Sequence, residues 1–593
     1  MIRTASSRLG FLIISCIAAC DPGLSVSAPP GPDISAPNPC KATEVRSTEG
    51  CVTPPQIKVD TVGYLVDRNK IATVPASDST AFAILDADTK TSVFDGSLST
   101  ATDNSDTGDK TQLANFSDFR TSGTYVLHVD GLADSPPFAI SSDVWNDALR
   151  VTMLGLYGQR CGQRVEIKHQ GVTFVHEACH THDAVYGAKF AGGGWTGGVQ
   201  RDASGGWHDA GDYGKYTVNA SFALAFLLKA WEDFGNKLAS VKHIPDYQGD
   251  LAPWLVESKY QMDQLLKMQL DDGSALHMIG PHEFPGTVLP EFDTVDRHFT
   301  GIGTAATADL VAVAAIASRV FRASDASYAD KCLAAAQAGQ AYLDANTSVV
   351  TPFASGFDGF THAAYNRTQD KGERFWALAE LWRTTGDPAL LSRVEDQLPA
   401  SLPINFDWGN VDSLGLFTYA QADSPARNSA KLDAAHQAIL GAADKLVLGT
   451  QTHAYGRGIG AMYYWGSNGV LARSAINLFV ANQLSPDAKY LDAAAQQVDH
   501  LFGRNPFGRT MVTGLGYLPA YRPHHRPSQG DGIDAPWPGL LVGGTNSQDS
   551  LAPKNPPLPP GLTWFDSDQD YYVNEVAINW NTALAYALAG FYQ

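Results

Sequence analysis

"TAATADLVAVAAIASRVF", Thr304 to Phe321, has only Asp309 and Arg319 as charged residues and contains neither proline nor glycine. Its alanine-rich spacing predicts a helix that is apolar around most of its circumference. Such a helix must be covered on both sides. Similar segments lie on either side of it. "VTMLGLYGQR", "TVNASFALAFLLKAWEDF" and "PWLVESKYQMDQLLKMQ" precede it, and "YADKCLAAAQAGQAYLDA", "ERFWALAELWRTTG" and "KLDAAHQAILGAADKLV" follow. "GVLARSAINLFVANQL", "KYLDAAAQQVDHLFG" and "VAINWNTALAYALAGF" complete the series. Ser485 and Pro486 read as an N-cap and a first-turn proline, and Gly503 as the end of that helix. About ten to twelve helices with no intervening strands fit a barrel of helix pairs over residues 145–593 better than several bundles. The irregular stretch from Asn505 to Asn574, rich in Gly and Pro, is too long to be an idle loop. In a ring of helices it builds one face.

Upstream the pattern changes. "IKVDTVGYL", "KIATVPA", "AFAILDA", "SVFDG", "GTYVLHV" and "PFAISS" are short, partly alternating runs separated by turn residues. They predict a small β-sandwich over residues 55–142 with a structural role. Before it, residues 21–54 read as a disordered Pro/Ser-rich linker. Residues 1–20 read as a signal segment: Arg3 and Arg8 precede an apolar run too short to span a membrane. That run ends in Ile17-Ala18-Ala19-Cys20, the pattern of a bacterial lipoprotein box. The chain is therefore expected to be exported as a cell-surface or periplasmic lipoprotein, with plain secretion as the alternative. Its only expected membrane contact is the N-terminal lipid anchor. Export permits disulfides, and Cys40 and Cys51 bracket a short loop as a pair would. Cys332 reads as a buried core thiol.

The 593 residues carry a formal net charge of −20, which disfavours nucleic acid as a partner. Trp (12), Tyr (22) and Phe (26) are numerous enough to supply flat sugar platforms, though core packing accounts for most of them.

"GGWHDAGDYGKY", Gly205 to Tyr216, crowds Asp209 and Asp212 into a glycine-rich turn beside His208, Trp207 and Tyr213. Either aspartate could serve as a cap for the helix that begins near Tyr216. Two of them, with aromatics alongside, also match glycosidic hydrolysis. That reaction needs carboxyl groups on opposite sides of the scissile bond. Cys161, in "RCG", with Cys179 and His180, in "EACHTHD", and His208 form a Cys₂His₂ set suited to a closed tetrahedral zinc site. From residue types alone a Cys161–Cys179 disulfide is an equal alternative, and His182 is a weaker alternative ligand.

The Gly205–Tyr216 stretch resembles the DAGD segment of glycoside hydrolase family 9, the inverting endoglucanases. "TMVTGLGYLPAYRPHHRPS" (Thr510 to Ser528) is similar to the family's histidine signature. "WFDSDQDYYVNEVAINWNTALAY" (Trp564 to Tyr586) is similar to its C-terminal signature. "IKVDTVGYLVDRNKIATV" resembles the immunoglobulin-like module of one branch. The resemblance implies a mainly α protein, an (α/α)6 barrel preceded by a small immunoglobulin-like β-sandwich. It implies Asp212 as general base, Asp209 as the residue that helps hold the water, and Glu575 as general acid. His524 and Arg526 would bind sugar hydroxyls, and Asp566 matches the family's other marked acidic position. Trp207 and Tyr213 are candidate sugar contacts. The branch's metal implies structural zinc on Cys161, Cys179, His180 and His208. The pattern departs from the family at Tyr517 and Leu518, after Gly516, which bears on local sugar contacts.

Calcium is also common in the family. Asp370, Glu373 and Asp412 offer oxygen ligands, or stand as solvated surface carboxylates. The expected substrate is a cellulose-like β-1,4-glucan, cut by a monomer. Cellodextrins, mixed-linkage glucan, xyloglucan and glucosamine polymers are alternatives within the same chemistry. A non-catalytic glycan-binding lipoprotein and a zinc hydrolase are alternatives outside it. The intact acids disfavour the first, and a closed four-ligand set disfavours the second. The sharpest requirement is spatial: Asp212 and Glu575, remote in sequence, must face each other across one cleft.

Overall fold

The computed structural model describes residues 40, 44–47, 50–189, 195–352, 364–551 and 557–593. The expected signal segment and the linker up to Pro39 lie outside the described residues. The helices are α1 (Asn146–Gly158), α2 (Thr217–Phe234), α3 (Pro253–Met268), α4 (Thr304–Phe321), α5 (Ala326–Ala345), α6 (Lys371–Thr385) and α7 (Pro388–Glu395). They continue with α8 (Asp412–Gln421), α9 (Ser429–Thr452), α10 (Ser467–Leu484), α11 (Ala488–Leu501), the short α12 (Arg526–Gly530) and α13 (Tyr571–Asn574), and α14 (Ile578–Phe591). α2, α4, α6, α8, α10 and α14 pack side by side in that order, and α14 returns to α2. The remaining long helices lie outside this ring, giving the expected (α/α)6 barrel.

Burial follows position in the ring. Every residue of α4 is buried except Arg319. In outer α9 burial recurs at Ala435, Ala438, Ala442 and Leu446, one face of the helix. Arg319 is used rather than exposed. Its Nε donates to Glu232 of α2 at 2.8 Å and its Nη2 to Glu380 of α6 at 2.6 Å, which ties three inner helices together. Helix α11 starts later than the Ser485–Pro486 signal predicts. Its N-cap is Asp487, whose carboxylate accepts from Lys489 N at 3.0 Å.

The helices do have strands between them. Val165–His169 pairs with Val172–His176 around Gln170-Gly171, both at positive φ. A five-stranded sheet joins Trp195–Arg201, Ala184–Lys189, Arg297–Phe299, Met278–Pro281 and Lys215–Tyr216. These strands are two to seven residues long, too short to register as periodic runs among glycines and polar residues.

The β-sandwich has five strands in one sheet and three in the other. Its core includes Ile57, Tyr64, Val74, Ile84, Phe116 and Leu127. Two segments expected as linker are instead strands: Val45–Ser47 pairs antiparallel with Gly50–Val52. Cys40 and Cys51 form a disulfide, and Arg46 reaches Asp534 of the long irregular loop of the barrel at 2.8 Å. Cys332 is a free, buried thiol.

The sandwich docks on the barrel through polar groups. Thr73 Oγ1 donates to Ala454 O at 2.6 Å, Tyr455 OH to Asp109 at 2.9 Å and Tyr463 OH to Asp106 at 2.9 Å. At the same junction the carboxyls of Asp60 and Asp499 are buried against each other. Burial pushes Asp60 well above the usual carboxylate range, and burial likewise pushes Asp499 up to about 8. The unfolded chain therefore releases protons near pH 4 that the folded chain keeps until about pH 8. Stability falls as pH rises through that window. Asp60→Asn removes one carboxyl while keeping an acceptor for the Val62 and Gly63 amides. Its thermal midpoint is expected to decline less than that of the wild type between pH 5 and 8; an equal decline would contradict this account.

Candidate active site

The Gly205–Tyr216 turn is held from three sides and by a bond within itself. On the α1 side, Cys161 N donates to Gly206 O at 2.8 Å and His208 N to Gln159 O at 2.7 Å. Within the turn, Asp209 N donates to Gly214 O at 3.0 Å. From the C-terminal helix, Ile578 N donates to Asp209 O at 2.9 Å. From the long loop, Arg526 donates to Gly211 O through its backbone N at 3.2 Å and its Nη1 at 2.9 Å. This last contact explains Gly211: a Cβ there would stand 2.3 Å from the His524 carbonyl oxygen.

The two aspartates are differently engaged. Asp209 Oδ1 accepts from Asn219 at 2.7 Å and Oδ2 from Tyr365 OH at 2.8 Å. Asp212 Oδ2 accepts from Gly214 N at 2.9 Å and Tyr216 OH at 3.1 Å. Glu575 stands opposite, on the residue that ends α13. Its segment pairs in parallel with His524, and its carbonyl accepts from Gly543 N at 2.8 Å. The structure thus brings together Asp209, Asp212, Glu575, His524 and Arg526.

Burial pushes Asp209 up to about 8, with the Asp212 charge adding to it. Burial also pushes Glu575 up to about 8, followed by the charges of Asp212 and Asp209, while Arg526 and the Trp465 indole act the other way. A buried acid that holds its proton at neutral pH, facing a pair of aspartates, can protonate a leaving oxygen on one side of a bond while water is activated on the other.

Three expected roles change. Trp207 is 1% exposed, and its indole donates to Glu257 at 2.8 Å, so it is core rather than a sugar platform. Tyr213 is fully buried, its hydroxyl donating to Val288 O at 2.5 Å. Asp566 is a bracket for the long loop: it accepts from Arg509 Nη2 at 2.7 Å and from the backbone amides of Tyr521 and Arg522. It sets the path of the chain toward His524.

Asn219, Tyr365 and Trp465 escaped the sequence analysis. Asn219 and Tyr365 hold Asp209. Trp465, 40% exposed, and Tyr571, 39% exposed, lie with ring centroids 5.7 Å apart beside Glu575. His524 lies 5.8 Å from Tyr571. Exposed aromatics at a cleft suit the flat face of a sugar.

Cys161, Cys179, His180 and His208 also converge, their ligand atoms all within 4.8 Å of one another. The two sulfurs are 3.9 Å apart and unbonded. His180 Nδ1 lies 3.7 Å from Cys161 Sγ, His208 Nε2 lies 3.7 Å from Cys179 Sγ, and the two nitrogens are 3.4 Å apart. A tetrahedron with metal–sulfur bonds of about 2.3 Å and metal–nitrogen bonds of about 2.0 Å has edges of roughly 3.3–3.8 Å, so the residues fit a closed four-ligand metal. His180 Nε2 faces the Asp293 carboxylate at 3.4 Å, the arrangement that orients a ligating imidazole. His182 is exposed and outside the set. Of the calcium candidates, Glu373 is paired with Arg367 at 2.9 Å and Asp370 with Arg374 at 2.8 Å, and Asp412 opens α8.

Comparison with known proteins gives concordant matches. Residues 145–588 match the model of glycosyl hydrolase family 9, and residues 52–134 match the cellulase N-terminal ig-like domain. Endoglucanase D of Acetivibrio thermocellus is 39% identical over 557 residues, covering 93% of this chain and 85% of that protein. The xyloglucan-specific endo-beta-1,4-glucanase BoGH9A of Bacteroides ovatus is 30% identical over 556 residues, covering 89% and 92%. A Zn-binding triple mutant of the family 9 endoglucanase J30 superposes with a TM-score of 0.83 at 30% identity, covering 89% and 99%.

Gly211→Ala is expected to push the His524 segment off the turn and lower kcat at least tenfold, because a displacement of about 1 Å at a reacting group costs that much or more. A wild-type kcat in this variant would show that the close approach does not matter.

Proposed function

The chain belongs to glycosyl hydrolase family 9, and we propose that it works on β-1,4-glucan as an inverting endoglucanase, with Asp212 and Glu575 as its base and acid. The observation that carries these roles is the buried Glu575 carboxyl standing across from the Asp209–Asp212 turn, where burial raises its pKa. Glu575 gives its proton to the departing sugar oxygen. Asp212 takes a proton from water on the other face of the ring. Asp209, fixed by Asn219 and Tyr365, holds that water in line. Arg526 fastens the turn through Gly211 O and Pro285 O and reaches the cleft beside His524. Trp465 and Tyr571 supply an apolar platform next to the acid. The preferred substrate is a cellulose-like chain.

Asp212→Asn and Glu575→Gln are each expected to lower kcat by more than a thousandfold with the fold unchanged, checked by reducing-sugar release and circular dichroism. Proton NMR of the wild-type reaction should show the α-anomer first. Because Glu575 acts while protonated, kcat/KM should fall as pH rises through about 8. Wild-type rates in either variant, or retention of the β-anomer, would overturn the roles.

The Cys₂His₂ set is read as structural zinc: four protein ligands leave no open position for water, so the metal supplies rigidity rather than Lewis acidity. Its ligand His208 immediately precedes Asp209, so the metal fixes one end of the catalytic turn. Cys179→Ser should lower the thermal midpoint and kcat together and reduce bound zinc; an unchanged midpoint would count against the metal. The N-terminal segment and the Cys40–Cys51 disulfide support export as a lipoprotein. The protein is read as a monomer.

A further inference from the structure

The metal loop has a second buried carboxylate that binds no metal. His180 and Asp183 both have left-handed φ, 46° and 36°, uncommon for residues other than glycine. Asp183 N donates to His180 O at 3.3 Å, closing a tight turn at the ligand. The Asp183 side chain is wholly buried and meets two cations. Its Oδ2 accepts from Lys215 Nζ, and its Oδ1 accepts from Arg297 Nε at 2.9 Å. Arg297 passes the contact on: its Nη1 donates to Tyr213 O at 2.8 Å. Lys215 Nζ also donates to Ala203 O at 2.8 Å and Gly205 O at 3.2 Å, at the start of the same turn. One carboxylate, three residues from a metal ligand, therefore holds the chain on the C-terminal side of Asp212, at Tyr213 through Arg297 and at Lys215 directly.

We propose that Asp183 is a positioning residue that couples the Cys/His metal loop to the placement of Asp212, through Arg297 and Lys215. It touches no substrate. The inference rests on the metal and base assignments made above. A surface ion pair could not do this, since it would be screened and mobile. A buried carboxylate shared by two cations has one arrangement, and breaking it strands a buried charge. The turn therefore follows the metal loop. By linkage, filling the cleft must in turn steady the metal.

The test uses the zinc-loaded full chain and two variants. Arg297→Lys keeps the charge beside Asp183 but loses the Nη1 bond to Tyr213 O. Asp183→Asn keeps the shape but leaves both cations without a counter-charge. Zinc content, kcat, KM and the rate of zinc transfer to a colorimetric chelator are measured, the last with and without saturating cellobiose. Both variants should bind one equivalent of zinc like the wild type, with kcat lowered roughly tenfold to a hundredfold and KM within about twofold. Cellobiose should slow zinc transfer severalfold in the wild type and leave it unchanged in both variants. A merely structural pair would lower stability without abolishing that protection. Wild-type kcat in either variant, or equal cellobiose protection in all three proteins, overturns the coupling while leaving the metal assignment standing. A wild-type chain that binds no zinc ends the metal assignment and the coupling with it. If Asp183→Asn does not fold, Arg297→Lys decides alone.

Discussion

Two backbone contacts make one site out of segments more than three hundred residues apart in sequence. Ile578 N donates to Asp209 O, and the His524 carbonyl rests against Gly211 where a side chain would clash. Both depend on ring closure, because α14 must return to α2 before Glu575 can stand over the Gly205–Tyr216 turn. The alanine-rich inner helices serve this requirement. Small residues let neighbouring inner helices pack closely enough for a ring of six to close without a hollow.

The site also shows how a fold keeps charge out of water. Glu575 and Asp209 are buried in one place, where lost hydration first, and then the charge of Asp212, raise both pKa values. The same physics would destabilise the turn if it were free to open. Four sets of contacts prevent that: α1, the Cys/His cluster at His208, the long loop with Arg526, and the first residue of α14. Farther out, buried charges are handled by pairing. Glu257 meets Arg160 at 2.9 Å and accepts from the Trp207 indole, so the aromatic beside the catalytic turn is part of its foundation.

Much of this was legible in the amino-acid order, for identifiable reasons. The helices announced themselves because their periodicity runs for many turns, and the acids because two lie in one short turn. The short strands did not, since two or three residues carry no period. Sequence could not say which way Trp207 and Tyr213 point, and both point inward. Nor could it say that Asp566 spends its oxygens on Arg509 and the amides of Tyr521 and Arg522. Asn219, Tyr365 and Trp465 act through distance in space alone and leave no local trace.

The seam between sandwich and barrel is polar and buried rather than greasy and loose. Thr73, Asp106 and Asp109 on one side are matched donor for acceptor with Ala454, Tyr463 and Tyr455 on the other. Trimming the chain at the domain boundary would strip those barrel groups of their partners and open the seam to water. The two parts are therefore expected to behave as one cooperative body, and shuffling foreign modules onto this barrel would succeed only where the incoming partner reproduces the same pattern of hydroxyls and carboxylates.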